Sequence, residues 1–172
     1  MRMTAALCAA VLAAGLLGTV TADEAYEAAV RKWREEREAR LKADGGWLTL
    51  AGLFWLKDGE NRFGTDPAGD IVLPAGTAPA RAGIFTLQDG KVTVTLLPGT
   101  NGRIGPRPLT SPREMRADTS GNPDVLEMGS LSLNVIERGG RLGIRLKDKN
   151  NPARRDFAGL EWFPIADAYR VE

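Results

Sequence analysis

The side chains of this chain that could do chemistry are carboxylates, guanidiniums, amines and hydroxyls. Histidine is absent, and the one cysteine, Cys8, lies in an apolar N-terminal run. Ser-His-Asp and Cys-His machinery is therefore excluded once that run is cleaved, as are zinc sites built from imidazole or thiolate. A carboxylate pair, a Ser-Lys arrangement or an all-oxygen metal site survives these exclusions, but none has a readable motif, and the sequence predicts no metal and no cofactor. Asp66, Asp70, Asp148 and Asp156 are the carboxylates a hydrolase would draw on, with the Arg-Arg-Asp-Phe run 154–157 beside a pocket.

The spacing "RLGIRLKD" carries more information. If Leu142, Ile144 and Leu146 face a core, then Arg141, Arg145 and Lys147 face the other way, with Arg138, Lys149, Arg154 and Arg155 near in sequence. Paired guanidinium and amine donors on one face could hold a carboxylate, phosphate or sulfate. The alternative is a solvated basic strand face balanced by acidic residues elsewhere. Arg81 and Asn101 are two further binding candidates, expected in loops.

These residues need elements to position them. The N-terminus has a basic residue, Arg2, an apolar run from Ala5 to Gly18 and small residues up to Ala22. It reads as a secretory signal peptide over residues 1–22, because the run is shorter than the ~20 residues of a membrane span. Over residues 23–44 Tyr26, Val30, Trp33 and Leu41 fall near one helical face, Glu27/Arg31 and Glu36/Arg40 are spaced i,i+4, and Gly45 supplies a stop. This predicts one amphipathic helix of about five turns. Its apolar stripe would pack on its own domain or bind a partner.

From residue 45 to 172 the period changes to short alternating runs split by turn dipeptides. Asp58-Gly59 marks a turn, and Asp89-Gly90 and Gly139-Gly140 mark two-residue hairpins. Short strands without an intervening helical pattern indicate a mainly β protein, an antiparallel β-sandwich. The expected core is Trp47, Phe54, Trp55, Ile71, Leu73, Phe85, Val92, Val94, Leu131, Leu133, Val135, Leu142, Ile144 and Leu146. Residues 104–129, rich in Pro, Ser, Asp and Arg, are expected to form a long loop or a covering strand pair, and "YRV" at 169–171 a last strand.

Removing residues 1–22 leaves 22 basic and 22 acidic residues and no cysteine. A neutral chain has no general attraction for nucleic acid or anionic lipid, and without cysteine its core alone must hold it together. The expectation is a periplasmic or secreted protein with no nucleic-acid partner and no stable membrane anchor after cleavage.

Two long runs, "GGWLTLAGLFWLKDGENRFGTDPAGDIVLP" and "GIRLKDKNNPARRDFAGLEWFPIADAYRV", resemble the uncharacterised bacterial family known as domain of unknown function 1684 in order and spacing. That resemblance implies no activity. It does imply a further C-terminal segment with a Tyr-Asn-Pro-Pro-Cys motif, absent here, so that residues near Tyr169 would form an open edge. "NRFGTDPAGDIVLP", "PARAGIFTLQDGKVTV" and "TNGRIG" are similar in skeleton to forkhead-associated domains, β-sandwiches that read phosphothreonine through loops. Arg81 and the Thr100-Asn101-Gly102 run match that pattern. Thr65 stands where its arginine is expected, and Pro79 and Ala82 where its serine and histidine are. A threonine hydroxyl cannot replace a guanidinium on a phosphate, so the resemblance implies the framework and not the phosphothreonine chemistry.

Three functions follow from these residues. One is a noncatalytic exported binding or scaffold module for an anionic ligand, using Arg81, Asn101, Arg141, Arg145 and Lys147. The second is a carboxylate hydrolase, and the third a structural fragment of a longer family protein.

Overall fold

A computed structural model describes residues 22–170. The signal peptide expected over residues 1–22 lies outside the described residues except for Ala22, where helix α1 (Ala22–Lys42) begins. The chain divides into two compact units, Glu36–Glu161 and the remainder. Of the smaller unit, 22–35 and 162–170 are described.

Helix α1 carries both expected pairs, Arg31 with Glu27 at 2.5 Å and Arg40 with Glu36 at 3.6 Å. It stops ahead of Gly45, whose φ of +105° is open to glycine and costly for other residues. Within the smaller unit Trp33 meets Trp162 edge to face at 5.4 Å, and Arg34 lies over the Trp162 ring while donating to the Phe163 carbonyl at 2.6 Å. Of the strand expected at 169–171, the described residues Tyr169 and Arg170 form none. Asp167–Tyr169 is a single 3-10 turn, closed by Tyr169 N–H donating to the Ala166 carbonyl, and Val171 lies outside the described residues.

The larger unit is a sandwich. One sheet has six strands in the order β1 (Leu50–Trp55), β11 (Arg141–Asp148), β10 (Leu131–Arg138), β9 (Val125–Met128), β6 (Arg103–Ile104), β7 (Arg107–Pro108). The other has five, in the order β3 (Ile71–Val72), β2 (Gly59–Gly64), β4 (Gly83–Gln88), β5 (Lys91–Leu96), β8 (Arg113–Met115). Pairing is antiparallel except between β2 and β3, which run parallel. Both two-residue hairpins form where expected: Asp89 and Gly90 have φ of 51° and 73°, Gly139 and Gly140 of 56° and 73°. These left-handed pairs match the twist of the strands they join.

Alternation then decides which side chains meet. Phe63, Phe85, Val92 and Val94 from one sheet and Leu126, Leu133, Val135, Ile144 and Leu146 from the other are buried in one core, with Phe63 and Phe85 rings 4.8 Å apart. Ile71 and Leu73 join them, as expected. Two expected core residues do not. Trp47 is 70% exposed in a 3-10 turn ahead of β1, and Trp55 is 39% exposed. Phe54 takes the inward direction on β1, so Trp55 must point out. Its ring lies over Gly143 of β11, where a Cβ would come within 3.0 Å of it, and under the Arg141 guanidinium at 4.6 Å.

Between β1 and β2 the chain passes from one sheet to the other. Asn61, 1% exposed, holds that crossing: its side-chain oxygen accepts from Lys57 N–H, and its amide donates to the Lys57, Gly59 and Phe85 carbonyls. Residues 104–129 are also more than a loop. They supply β7, β8 and β9 and cross from the first sheet to the second and back. Polar anchors replace a hydrophobic run there. Asp124, 6% exposed, accepts from Arg116 Nε at 3.0 Å, Arg116 Nη2 at 3.1 Å and the Arg116 backbone N–H at 3.0 Å, with Arg113 at 3.4 Å. Asp118 likewise accepts two bonds from Arg138 and one from the Glu137 N–H.

The Arg116 and Arg138 guanidiniums hold the carboxyls of Asp124 and Asp118 below their ordinary values, and Lys57 does the same for Asp70. A carboxyl depressed in the folded state stabilises the protein above its unfolded pKa, and that contribution is lost as pH falls through the folded value. Acid unfolding is therefore expected below the ordinary carboxylate range. Asp124→Ala should cost about 1–3 kcal/mol, because the freed arginines reach water while the backbone N–H loses its acceptor. Chemical denaturation at pH 7 and pH 3 checks both: the gap between wild type and variant should narrow at the lower pH.

Candidate functional site

The register of β10 with β11 places Ser132 opposite Lys147 and Asn134 opposite Arg145, all on the outer face of the first sheet. On that face Glu127 of β9 stands beside Ser132, and Arg103 of β6 beside Glu127. Above this row the turn ahead of β1, the β5–β6 loop and the β7–β8 loop enclose an open cleft of about 960 Å³. Its polar lining mixes the hydroxyl residues Thr95, Thr110, Ser111 and Ser132 with the Asn101 amide and the carboxylates Asp44 and Glu127.

Three cations line it: Arg103, Lys147 and Lys149. Arg103 is paired with Glu127, and Lys149 reaches Asp44 at 3.9 Å. Lys147 has no carboxylate partner among the described residues; its ammonium donates to the Gly45 carbonyl. Burial first, and repulsion from Arg145 second, lower its pKa below the ordinary lysine value.

Asn101 and Lys147 thus come together in one cleft, while Arg81, Arg141 and Arg145 lie outside its lining. Arg141 is stacked on Trp55 and Arg145 sits between Leu53 and Asn134 in cross-strand register. Arg81 is exposed at the end of the β3–β4 loop. The loop after β2 is tied to the β3–β4 loop, since Thr65 and Asp66 N–H groups donate to the Pro79 and Ala80 carbonyls. Gly64 permits that approach: a Cβ there would lie 2.1 Å from the Ala80 oxygen.

Each carboxylate considered for hydrolysis is engaged locally. Asp70 takes Lys57 at 2.6 Å and the Arg62 N–H at 2.8 Å, Asp66 accepts from the Ala68 N–H, Asp148 from the Asn150 N–H, and Asp156 pairs with Arg155. Among the described residues, no group of three His, Cys, Asp or Glu residues is placed to hold a metal ion.

Ser132 lines the cleft and is not among the residues that the sequence singles out. A signal for Ser132 existed. The two-residue Gly139-Gly140 turn pairs Arg138 with Arg141 and so counts back to Ser132 opposite Lys147. No local signal brings the β5–β6 loop to the same place.

No family model and no curated protein matches the chain. Among solved structures it is similar to FHA domains. One is the FhaA FHA domain complexed with the intracellular domain of a second protein, at 14% identity and a TM-score of 0.39, covering 55% of this chain and 86% of that one. Another comes from a structural and functional study of phosphothreonine-dependent FHA domain interactions, at 14% identity and a TM-score of 0.38, covering 55% and 92%.

Thr100 adds a testable detail. Its Oγ1 is buried with no hydrogen-bond partner among the described residues. An unmet buried hydroxyl is a net cost, so Thr100→Val should stabilise the protein by about 1 kcal/mol, read as a Tm higher by about 2–4 °C.

Proposed function

We propose that this protein is a noncatalytic binding module whose ligand is a polar anion seated in the cleft over β10 and β11. The observation that carries this reading is Lys147, a part-buried ammonium in a cleft of mixed hydroxyl, amide and charged lining, with no carboxylate partner among the described residues. An anionic group meeting Lys147 there would gain a charge-assisted bond in a partly desolvated setting, with Ser132 and Asn101 available as neutral donors. Arg103 and Lys149, already partnered, set the field around it.

Hydrolysis is the weaker reading, because the carboxylates it needs are engaged in turns and ion pairs. The two long sequence runs that resemble domain of unknown function 1684 fit a shared framework and name no ligand. Residues 1–22 are proposed as a cleaved leader, 23–44 as a helical segment and 45–172 as the binding domain, exported to the periplasm or beyond. N-terminal sequencing of the protein recovered outside the cytoplasm should then begin at Asp23.

Titration with inorganic phosphate and with succinate, followed by NMR, tests the site. Amides of Ser132, Lys147 and Asn101 should shift with wild type. Lys147→Gln should weaken binding about tenfold or more, the loss of one charged hydrogen bond, while Arg141→Gln leaves it unchanged. Anion binding raises the pKa of Lys147 above its depressed free value, so affinity is full at lower pH. It is lost as pH rises, starting below the ordinary lysine range. Equal affinities for wild type and Lys147→Gln would overturn the assignment.

A further inference from the structure

Strand β1, "LAGLFW", is the outermost strand of the six-stranded sheet and carries no charged residue. On one side it pairs with β11, with Trp55 opposite Gly143, Phe54 opposite Ile144 and Leu53 opposite Arg145. Leu56 N–H donates to the Leu142 carbonyl at 3.0 Å, which makes Leu56 and Leu142 a hydrogen-bonded pair. Hydrogen-bonded and non-bonded pairs alternate along an antiparallel ladder. Phe54 therefore bonds to β11, and the N–H and C=O groups of Leu53 and Trp55 point to the open side. No described strand lies there. The Leu53 and Trp55 side chains are 47% and 39% exposed beside those groups.

Proteins usually protect such an edge with a charge, a proline or a bulge. Here the only such device is a bulge at its start: Leu50 faces Lys147 and Gly52 faces Leu146, so Ala51 is an extra residue and the strand bends. The straight, unprotected stretch runs from Gly52 to Leu56.

We propose that this stretch pairs antiparallel with the same stretch of a second copy of the chain, across a two-fold axis at Phe54. That register is the one that uses all four free groups and keeps both bulges outside the contact. Leu53 N–H donates to the Trp55 carbonyl of the second copy, Trp55 N–H of that copy donates back to the Leu53 carbonyl, and symmetry repeats both. On the outer face each Leu53 lies against the other copy's Trp55, whose far face already carries Arg141. Each end of the contact sets Gly52 opposite Leu56, a small residue against a large one. No like charges face each other within the paired stretch. The two copies build one continuous sheet, and the isologous contact closes on itself.

The contact is small, so the pair belongs to the weak class of interfaces. Sedimentation equilibrium on the full chain should show the average mass rising from one chain toward two between about 1 and 100 µM. Leu53→Lys places two ammonium groups at the contact and should hold the mass at one chain throughout, with Tm at low concentration unchanged within about 2 °C, as for a surface change. Leu53→Ile should associate like wild type. Amide hydrogen exchange gives a second reading: Leu53 and Trp55 amides should slow with concentration in wild type and not in Leu53→Lys, while the Phe54 amide stays slow in both. A monomeric wild type at 100 µM overturns the proposal. So does association unchanged by Leu53→Lys, or growth beyond two chains.

Discussion

The face-to-face burial of two sheets is the constraint on which the larger unit rests. The chain has a single cysteine, so no disulfide within it can close a loop, and no charge excess selects a compact shape. Phe63 and Phe85 of one sheet meet Leu133, Val135, Ile144 and Leu146 of the other in one core, each at most 1% exposed. Burying such side chains contributes about 1.5–3 kcal/mol apiece before conformational entropy is opposed. Every outward-facing residue, including those of the cleft, is placed as a by-product of that inward alternation.

Crossings between the sheets need a different device, because a connecting segment has few apolar residues to bury. Asn61 and Asp124 supply it. Asn61 satisfies both its oxygen and its amide against backbone around the β1–β2 crossing, and Asp124 gathers the Arg116 fork and backbone where the chain returns from β8 to β9. Both are nearly fully buried, and a buried polar group is stable only when its partners are all present. Each therefore specifies one path of the chain rather than merely adding stability.

The outer face of the first sheet shows how the same strand can serve two ends. β11 is unbroken in its alternation, yet its outward cations divide. Arg141 is committed to Trp55, Arg145 lies mid-sheet, and Lys147 opens on the cleft. What separates them is the neighbouring strand: Trp55 reaches over Gly143 at one end of β11, and the turn at Gly45 comes down on Lys147 at the other.

Much of the architecture was legible in the residues. Period-two alternation and the Asp89-Gly90 and Gly139-Gly140 turns defined β4, β5, β10 and β11, and the Glu–Arg spacings with Gly45 defined α1. These signals act over a few residues, where backbone sterics and side-chain periodicity dominate. Trp47 and Trp55 lie outside the core expected of them, and residues 104–129 build more than the long loop or covering strand pair expected there. Hydrophobicity does not say that a tryptophan sits in a turn, as Trp47 does, or which side of a strand it takes beside a phenylalanine, as Trp55 does, and short strands in polar sequence exist only because partner strands accept their hydrogen bonds. The candidate site belongs to the same class. Asn101 and Lys147 could be named as residue types able to bind an anion, but their meeting in one cleft depends on loops far apart in sequence. By itself the sequence determined the chemistry that is possible and the strands able to carry it; the tertiary structure decided which groups meet, because burial and partner supply are properties of the packed chain.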